Sequence, residues 1–377
     1  MLYEAPLRIP KTSFAKSGLL DNYLLMAGLD VPYFKIDPIT DQRWPDLVRN
    51  HPQASAFHGR SWLSALQRTY GYTPVALTTS APGEALSNAL VFCAIRSRLT
   101  GNRLVSLPFS DHCEPLVESA GDLARLLDAT ERFCKAEQWR YAELRPIEAH
   151  PDRTQSFQEF GSYYLHRIDL TPELDDLLRR FHKDCVQRKI RRAERENLKT
   201  EAGRDERLLN QLFRLLVVTR RRHRVPPQPF QWFRNLIECF GDDLVIRIAS
   251  RDEIPVAGIL TLRAGNRLIY KYGGSDVNLN RLGGMALLFW EAIRDAKRDG
   301  LSEFDLGRTD CDNPGLATFK EHWAARRSPL VYWRHQSDGQ PARHVESWKN
   351  RLARGVFSRM PDALLVRAGA FLYRHVG

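Results

Sequence analysis

Cysteine is scarce and scattered: Cys93, Cys113, Cys134, Cys185, Cys239 and Cys311 are the only six in 377 residues, with no Cys-x-x-Cys pair and no histidine at metal spacing. This excludes a disulfide framework and predicts a reduced, cytoplasmic, metal-free protein. Long apolar runs are also missing. The longest, ALVFCAI at 89–95, falls far short of the roughly 20 residues a membrane span needs and reads as a buried strand. The opening MLYEAPLRIPKTSFAKSG lacks the cationic start and apolar core of a signal peptide. Acids are outnumbered, with 45 Asp and Glu against 56 Lys and Arg, giving a formal charge of +11 and a pI near 9.5. Such a surplus is either an inert basic surface or a preference for tRNA, nucleotide cofactors, sugar-phosphate carriers or an anionic membrane face. DNA is not among the predicted partners.

With 43% apolar residues, the chain is long enough for two cores. It also repeats itself. TGNRLVSLPFSDH at 100–112 aligns with AGNRLIYKYGGSD at 264–276, an offset of 164 from Gly101 to Gly265. Helical stretches ending in aromatic-glycine precede both, with Trp62 and Gly71 answered by Trp232 and Gly241 at an offset of 170. WRYAELRP from 139 is answered by LSEFDLGR from 301 at an offset of 162, and three ordered matches at nearly one offset indicate a tandem duplication. The predicted organisation is an N-terminal extension (1–30), two domain-sized copies (31–170 and 171–337) and a C-terminal extension (338–377). Within a copy, DLVIRIAS, IPVAGILTL and NRLIYKYG alternate with period 2 and read as an antiparallel meander, followed by a helix that crosses to a further strand. This is a mixed α/β sheet with helices on both faces. Thr171 and Pro172 are placed to start the helix that opens the second copy. MPDALLVRAGAFLYRHVG at the C-terminus is amphipathic, either a cap on the second copy or a peripheral helix on the inner membrane face.

Residues 266–323 concentrate the chemistry. A glycine-rich turn with Arg281, Gly283, Gly284 and Ala286 in the spacing R-x-x-G-x-A sits before a helix, where backbone N–H groups can approach a phosphate. An ordinary strand-to-helix turn would use glycine equally well. From Arg179 to Arg195 eight basic residues face two acids, with no balancing i,i+4 partners expected. This region is either a solvated face or an anion-binding one. Tyr270 and Tyr272 flank Lys271 and should share one side of a strand, lining a site or packing a core. His112 and Cys113 are sequence neighbours on extended chain, which argues against a Cys–His dyad.

FDLGRTD and GLATFKEHW, together with YKYGGS, KDCVQRKIRRAERENLK and LPFSDHCEPLV, resemble the motifs of the Fem-type and cellulose-biosynthesis-type branch of the GNAT acyltransferases. The resemblance covers roughly residues 50–335. It departs from the family pattern at His112, Cys113 and Ala324. It implies two tandem GNAT-like domains and transfer of an acyl group from acyl-CoA to an amine or hydroxyl of a cell-envelope or exopolysaccharide precursor. Aminoacyl-tRNA is the alternative donor, and a non-catalytic anion-binding module in polysaccharide export is the alternative of another class. Under this resemblance Lys320 stabilises the oxyanion, with Arg308 and Asp305 beside it. Tyr270, Tyr272, Asp111, Phe319 and Trp323 contact substrate, and the Arg281–Ala286 turn holds the CoA pyrophosphate. For Lys320 a surface helix cap is the plainer reading; for Arg308 it is a salt bridge to Asp305 or Asp310. A role for Asp305 as general base stays open.

Overall fold

The computed structural model describes residues 32–150, 154–338, 357 and 360–375. The extension at 1–30 lies outside them, as does most of 339–359. The first elements are β1 (Phe34–Ile36), α1 (Trp44–Asn50), α2 (Arg60–Tyr70), β2 (Thr73–Thr78), β3 (Leu90–Ile95), β4 (Arg103–Val105), α3 (Ala120–Ala136) and β5 (Tyr141–Leu144). Next come β6 (Phe157–Asp169), α4 (Leu174–Arg180), a π-helical turn (Lys183–Gln187), α5 (Arg188–Arg195), β7 (Lys199–Gly203), α6 (Glu206–Arg222) and α7 (Phe230–Phe240). The chain continues through β8 (Leu244–Arg251), β9 (Ile254–Ala264), β10 (Arg267–Ser275), α8 (Gly284–Arg298), β11 (Glu303–Asp310), α9 (Pro314–Glu321), β12 (Arg326–Gln336) and α10 (Asp362–Leu372).

Period-2 alternation does what it predicts. Leu244, Ile246, Ile248, Leu260 and Leu262 fill the core on one face, while Ala249, Ala257 and Ile259 fill the core on the other. Asp252 and Glu253 both take left-handed conformations (φ 50° and 66°), the geometry that lets a tight turn follow the strand twist between β8 and β9. In the first half, Val75, Leu77, Leu90 and Phe92 share a core with Leu123, Leu126 and Leu127 of α3. Ala76, Val91 and Cys93 share another with Trp62, Leu63 and Leu66 of α2.

The two halves repeat in topology. β4 pairs in parallel with β5, Arg103 opposite Tyr141, and β10 pairs in parallel with β11, Arg267 opposite Glu303. Those partners differ by the offsets seen in the sequence. The equivalent helices α2 and α7 meet, with Trp62 edge-on to Trp232 at 5.2 Å.

Two separate sheets do not form. Among the described residues all the strands join one twelve-stranded sheet in the order β1-β2-β3-β4-β5-β12-β6-β11-β10-β9-β8-β7. The cause is a reciprocal exchange. β6 follows β5 in the chain but pairs with β11, β12 follows β11 but pairs with β5, and the two exchanged strands pair with each other. Their backbone N–H and C=O groups are thereby satisfied across the junction.

Two local expectations are corrected. Thr171 does not start a helix: its N–H and hydroxyl both bond Asp169, and α4 begins behind Glu173. Nor does α10 rest on the second half alone. Gly369 lies so close to the Pro227 carbonyl that a Cβ would not fit, and the Tyr373 hydroxyl donates to Pro226 O at 3.0 Å. The Tyr373 carbonyl accepts the Tyr72 hydroxyl, and the His375 carbonyl accepts Thr100 Oγ1 at 2.7 Å. The helix straps both halves.

Candidate active site

The site begins with a fault in β10. Its pairing with β9 shifts register between Tyr270 and Tyr272, so Lys271 is an extra residue in the ladder. Tyr270 consequently packs on Phe289 of α8 at 4.8 Å, while Tyr272 packs on Phe233 at 5.0 Å and accepts Trp232 Nε1 at 2.8 Å. The two tyrosines, expected on one side, join opposite cores because the bulge breaks the alternation. Lys271 reaches Asp111 of the first half at 2.7 Å.

β11 supplies the second part. Gly307 is left-handed (φ 72°) and would place a Cβ 3.1 Å from the Asp111 carboxylate, so the turn needs glycine for both reasons. Asp305 Oδ1 accepts the Gly307 N–H at 2.6 Å, and Oδ2 bonds His112 Nε2 at 2.8 Å. With both oxygens engaged and the side chain buried, Asp305 holds a turn and lies beneath the cleft rather than lining it.

α9 supplies the third. Asn313 caps it through Leu316 N–H at 3.1 Å, and Pro314 sits in the first turn, where its missing N–H costs nothing. The helix carries Lys320 inward to 3% exposure, so Lys320 is no surface cap. Its Nζ donates to Gly307 O at 2.8 Å and Arg308 O at 2.9 Å. Arg308 bonds the Tyr332 hydroxyl at 3.0 Å and lies over the Tyr163 ring at 4.4 Å, its partners being these tyrosines and not Asp305 or Asp310. Tyr332 in turn donates to Asp111 O at 2.6 Å.

Asp111, Lys271, Tyr270, Tyr272, Arg308 and Lys320 line one cleft of about 440 Å³, joined by Arg220, His223 and Tyr373. Burial would raise the Asp111 pKa, but Lys271, with help from Arg308 and Lys320, holds it down at about 2. Burial brings Lys320 down to about 8, against the pull of Asp111 and Asp305. Arg308 is pushed higher still, because Tyr332, Asp111 and Tyr163 outweigh its burial. His223 is lowered by burial, then by Arg222 and Arg220, which keeps it neutral near pH 7.

Other expected site residues stand apart. Trp323 is buried between Phe181 and Phe289, and Phe319 lies beside Phe289, neither lining the cleft. Gly283 (φ 84°) lies against the Lys189 carbonyl of α5, and a Cβ on Gly284 would sit 2.7 Å from Val256 Cγ2. Gly283 thus lets α8 approach α5, while Gly284, with buried Ala286, seats α8 on β8 and β9. The first-turn N–H groups of Gly284, Met285 and Ala286 nonetheless have no intrahelical acceptor. Arg281 joins Arg188, Lys189, Arg191, Arg192 and Arg195 around a surface hollow of about 930 Å³. Two of these charges are balanced, contrary to expectation: Arg188 pairs with Asp184 and Arg192 with Glu196, both at i,i+4.

His182, Cys185 and His322 place ligand atoms within 4.8 Å of one another; His182 and Cys185 are three apart, contrary to the expectation of no histidine at metal spacing, and His322 arrives from the end of α9. The set fits a cation poorly. His182 Nδ1 already accepts the Asp184 and Cys185 N–H groups at 3.2 Å, and the neighbouring Lys189 repels positive charge.

Lys271 and Tyr332 were not legible as site residues, while Arg220 and His223 showed only as a second basic cluster before the PPQP turn and His112 only as a first-half candidate beside Asp111. For His112 the signal was the unusual histidine in LPFSDH; its partner Asp305 is 193 residues away. Replacing His112 with phenylalanine leaves buried Asp305 short of one donor. We expect it to cost about 1–3 kcal/mol in urea unfolding, with His112→Gln recovering part of the loss. Equal stability of the Phe and Gln variants would show that the bond does not hold the turn.

The match to known proteins falls on this same region. Residues 180–323 match the family of acetyltransferase (GNAT) domains. The chain carries a GNAT-superfamily acetyltransferase domain. A GNAT domain is an acyltransferase-type enzymatic fold. No curated protein sequence matches the chain. Among solved structures, FemX is similar with a TM-score of 0.64 at 15% identity, covering 81% of this chain and 97% of its own. A conserved protein of unknown function from Bacteroides thetaiotaomicron is similar with a TM-score of 0.54 at 12% identity, covering 81% and 98%. At these identities the likeness is one of fold. The GNAT match takes in β10, α8, β11 and α9, the elements that carry Lys271, Arg308 and Lys320.

Proposed function

We propose that the protein transfers an acyl group from acyl-CoA to an amine or hydroxyl of a cell-envelope or exopolysaccharide precursor. Lys320 carries this reading. An ammonium has three N–H donors, and two of those on Lys320 are fixed to the Gly307 and Arg308 carbonyls, leaving the third for the cleft. Attack on a thioester carbonyl builds an oxyanion, and a cation already held in place at a buried site stabilises it without reorganising. The site is assembled from two duplicated halves, 31–170 and 171–337, with Asp111 and His112 supplied by the first.

The remaining roles follow from charge and position. Asp111, ionised and fixed by Lys271, accepts a hydrogen bond from the acceptor's amine or hydroxyl. His223, neutral at the cleft, is suited to receive its proton. Asp305 positions Gly307 and through it Lys320. Arg220 and Arg308, neither paired with a carboxylate among the described residues, favour an acceptor carrying negative charge, as a phosphate-linked precursor does. On the donor side, the dipole of α8 and its first-turn N–H groups, which lack an intrahelical acceptor, together with exposed Arg281, suit a pyrophosphate.

The hollow formed by Arg281 and α5 favours a second reading, in which aminoacyl-tRNA is the donor. The two are separated by calorimetric titration with acetyl-CoA and filter binding with charged tRNA. If CoA is the donor, acetyl-CoA binds, Arg281→Glu weakens that binding about tenfold, and charged tRNA does not bind. If tRNA is the donor, the triple reversal weakens binding steeply and lowers the salt slope by about three. No binding in either assay overturns both and leaves the non-catalytic, anion-binding module.

A further inference from the structure

No helix among the described residues is long and apolar enough to cross a membrane, yet the apolar side chains left in solvent are not scattered evenly. Among the described residues five large apolar side chains are more than half exposed, and three of them, Leu99 (65%), Phe371 (56%) and Leu364 (51%), belong to α10 or to the turn bonded to it. Leu364, Arg367, Phe371 and Arg374 recur at helical spacing along the outer side of α10. Leu365 and Gly369 are buried on its inner side. The Leu99 turn is tied to the helix end: Ser97 Oγ accepts the Leu99 N–H at 3.2 Å and bonds His375 Nδ1 at 3.0 Å, and the His375 ring lies 5.1 Å from that of Phe371. Exposed Arg98 completes the face. Arg98, Arg367 and Arg374 have no carboxylate partner among the described residues.

We propose that this face, Leu99 with Leu364 and Phe371 inside a border of Arg98, Arg367 and Arg374, docks the protein on an anionic lipid bilayer. Apolar side chains enter the boundary between headgroups and acyl chains, and unpaired arginines meet lipid phosphates, the arrangement that separates an interfacial helix from a buried one. Each basic side chain near an anionic surface adds attraction that salt screens, and the overall charge of +11 acts in the same direction. The inner side of α10 is held to both halves through Tyr373, so docking loads a rigid strap. Tyr373 also lines the cleft, which places the cleft beside the docked face. The lipid contact does not depend on acyl transfer and stands or falls separately.

The test is co-sedimentation of the full chain with vesicles of phosphatidylglycerol and phosphatidylcholine, and with phosphatidylcholine alone, at low and high salt. Binding about tenfold or more tighter to the anionic vesicles, falling as salt is raised, is expected. Leu99→Ser, Leu364→Ser and Phe371→Ser together should weaken it about tenfold, as should Arg367→Glu with Arg374→Glu. These side chains lie outside the core, so circular dichroism and thermal melting should match the parent protein. Equal binding to both vesicle types, or undiminished binding by the triple serine variant, overturns the proposal. So does sedimentation velocity showing that the face instead joins two copies, with the serine variant monomeric and the parent dimer not bound to vesicles.

Discussion

Replacing Lys320 with alanine is expected to lower kcat for acyl transfer about 10²–10³-fold, the size of effect seen when one donor to a developing oxyanion is removed. KM should change little, because the interaction strengthens only as the carbonyl oxygen gains charge. The protonated amine is the active form. With burial bringing its pKa down to about 8, activity that requires the ammonium is full below that value and falls as pH rises through it. The stability linkage has the opposite sign. Between about 8 and the ordinary lysine value the unfolded chain binds the proton and the folded chain does not, so this group's contribution to stability rises with pH across that window. Steady-state kinetics from pH 6 to 10 on parent and variant would check both statements. A Lys320→Ala variant with undiminished kcat would remove Lys320 from the chemistry.

The second large effect concerns the fold around the proposed donor site. Gly283→Val places a β-branched side chain at φ 84° against the Lys189 carbonyl. A left-handed conformation costs roughly 1–2 kcal/mol and overpacking roughly 1–3, so urea unfolding should show a loss of about 3 kcal/mol. Because α5 must move to make room, the Arg281 hollow should open and acetyl-CoA binding should weaken with it. Gly265→Ala is the matched control. Its φ is 55° and nothing lies within 4 Å of an added Cβ, so only the conformational cost of roughly 1 kcal/mol remains. Similar losses for the two variants would mean that the close approach of α5 contributes nothing.

Much of the architecture was determined by local sequence. Alternation in DLVIRIAS and IPVAGILTL places β8 and β9, the aromatic-glycine endings close α2 at Gly71 and α7 at Gly241, and the offset near 164 carries through to the pairings of Arg103 with Tyr141 and Arg267 with Glu303. These are properties of short windows, in which neighbouring residues set backbone preference and burial. Arg308 and Lys320 were legible for the same reason, as one run of a strand and a lysine-bearing loop, although that loop proves to be helix α9.

What only the tertiary structure decided depends on partners far apart in the chain. Whether β6 returns to its own half or crosses to β11 is not written in its alternation, since either neighbour would satisfy its backbone groups. One sheet forms instead of two because the exchange satisfies both edges at once. The bulge at Lys271 is set by register against β9 and by the Asp111 carboxylate, so period 2 alone put Tyr270 and Tyr272 on one side. His112 acquires its place only when the first half meets Asp305 of the second, and Trp323 becomes core only when α9 closes over Phe289. In each case at least one deciding partner lies more than thirty positions away, a distance at which the pattern of one sequence carries no register.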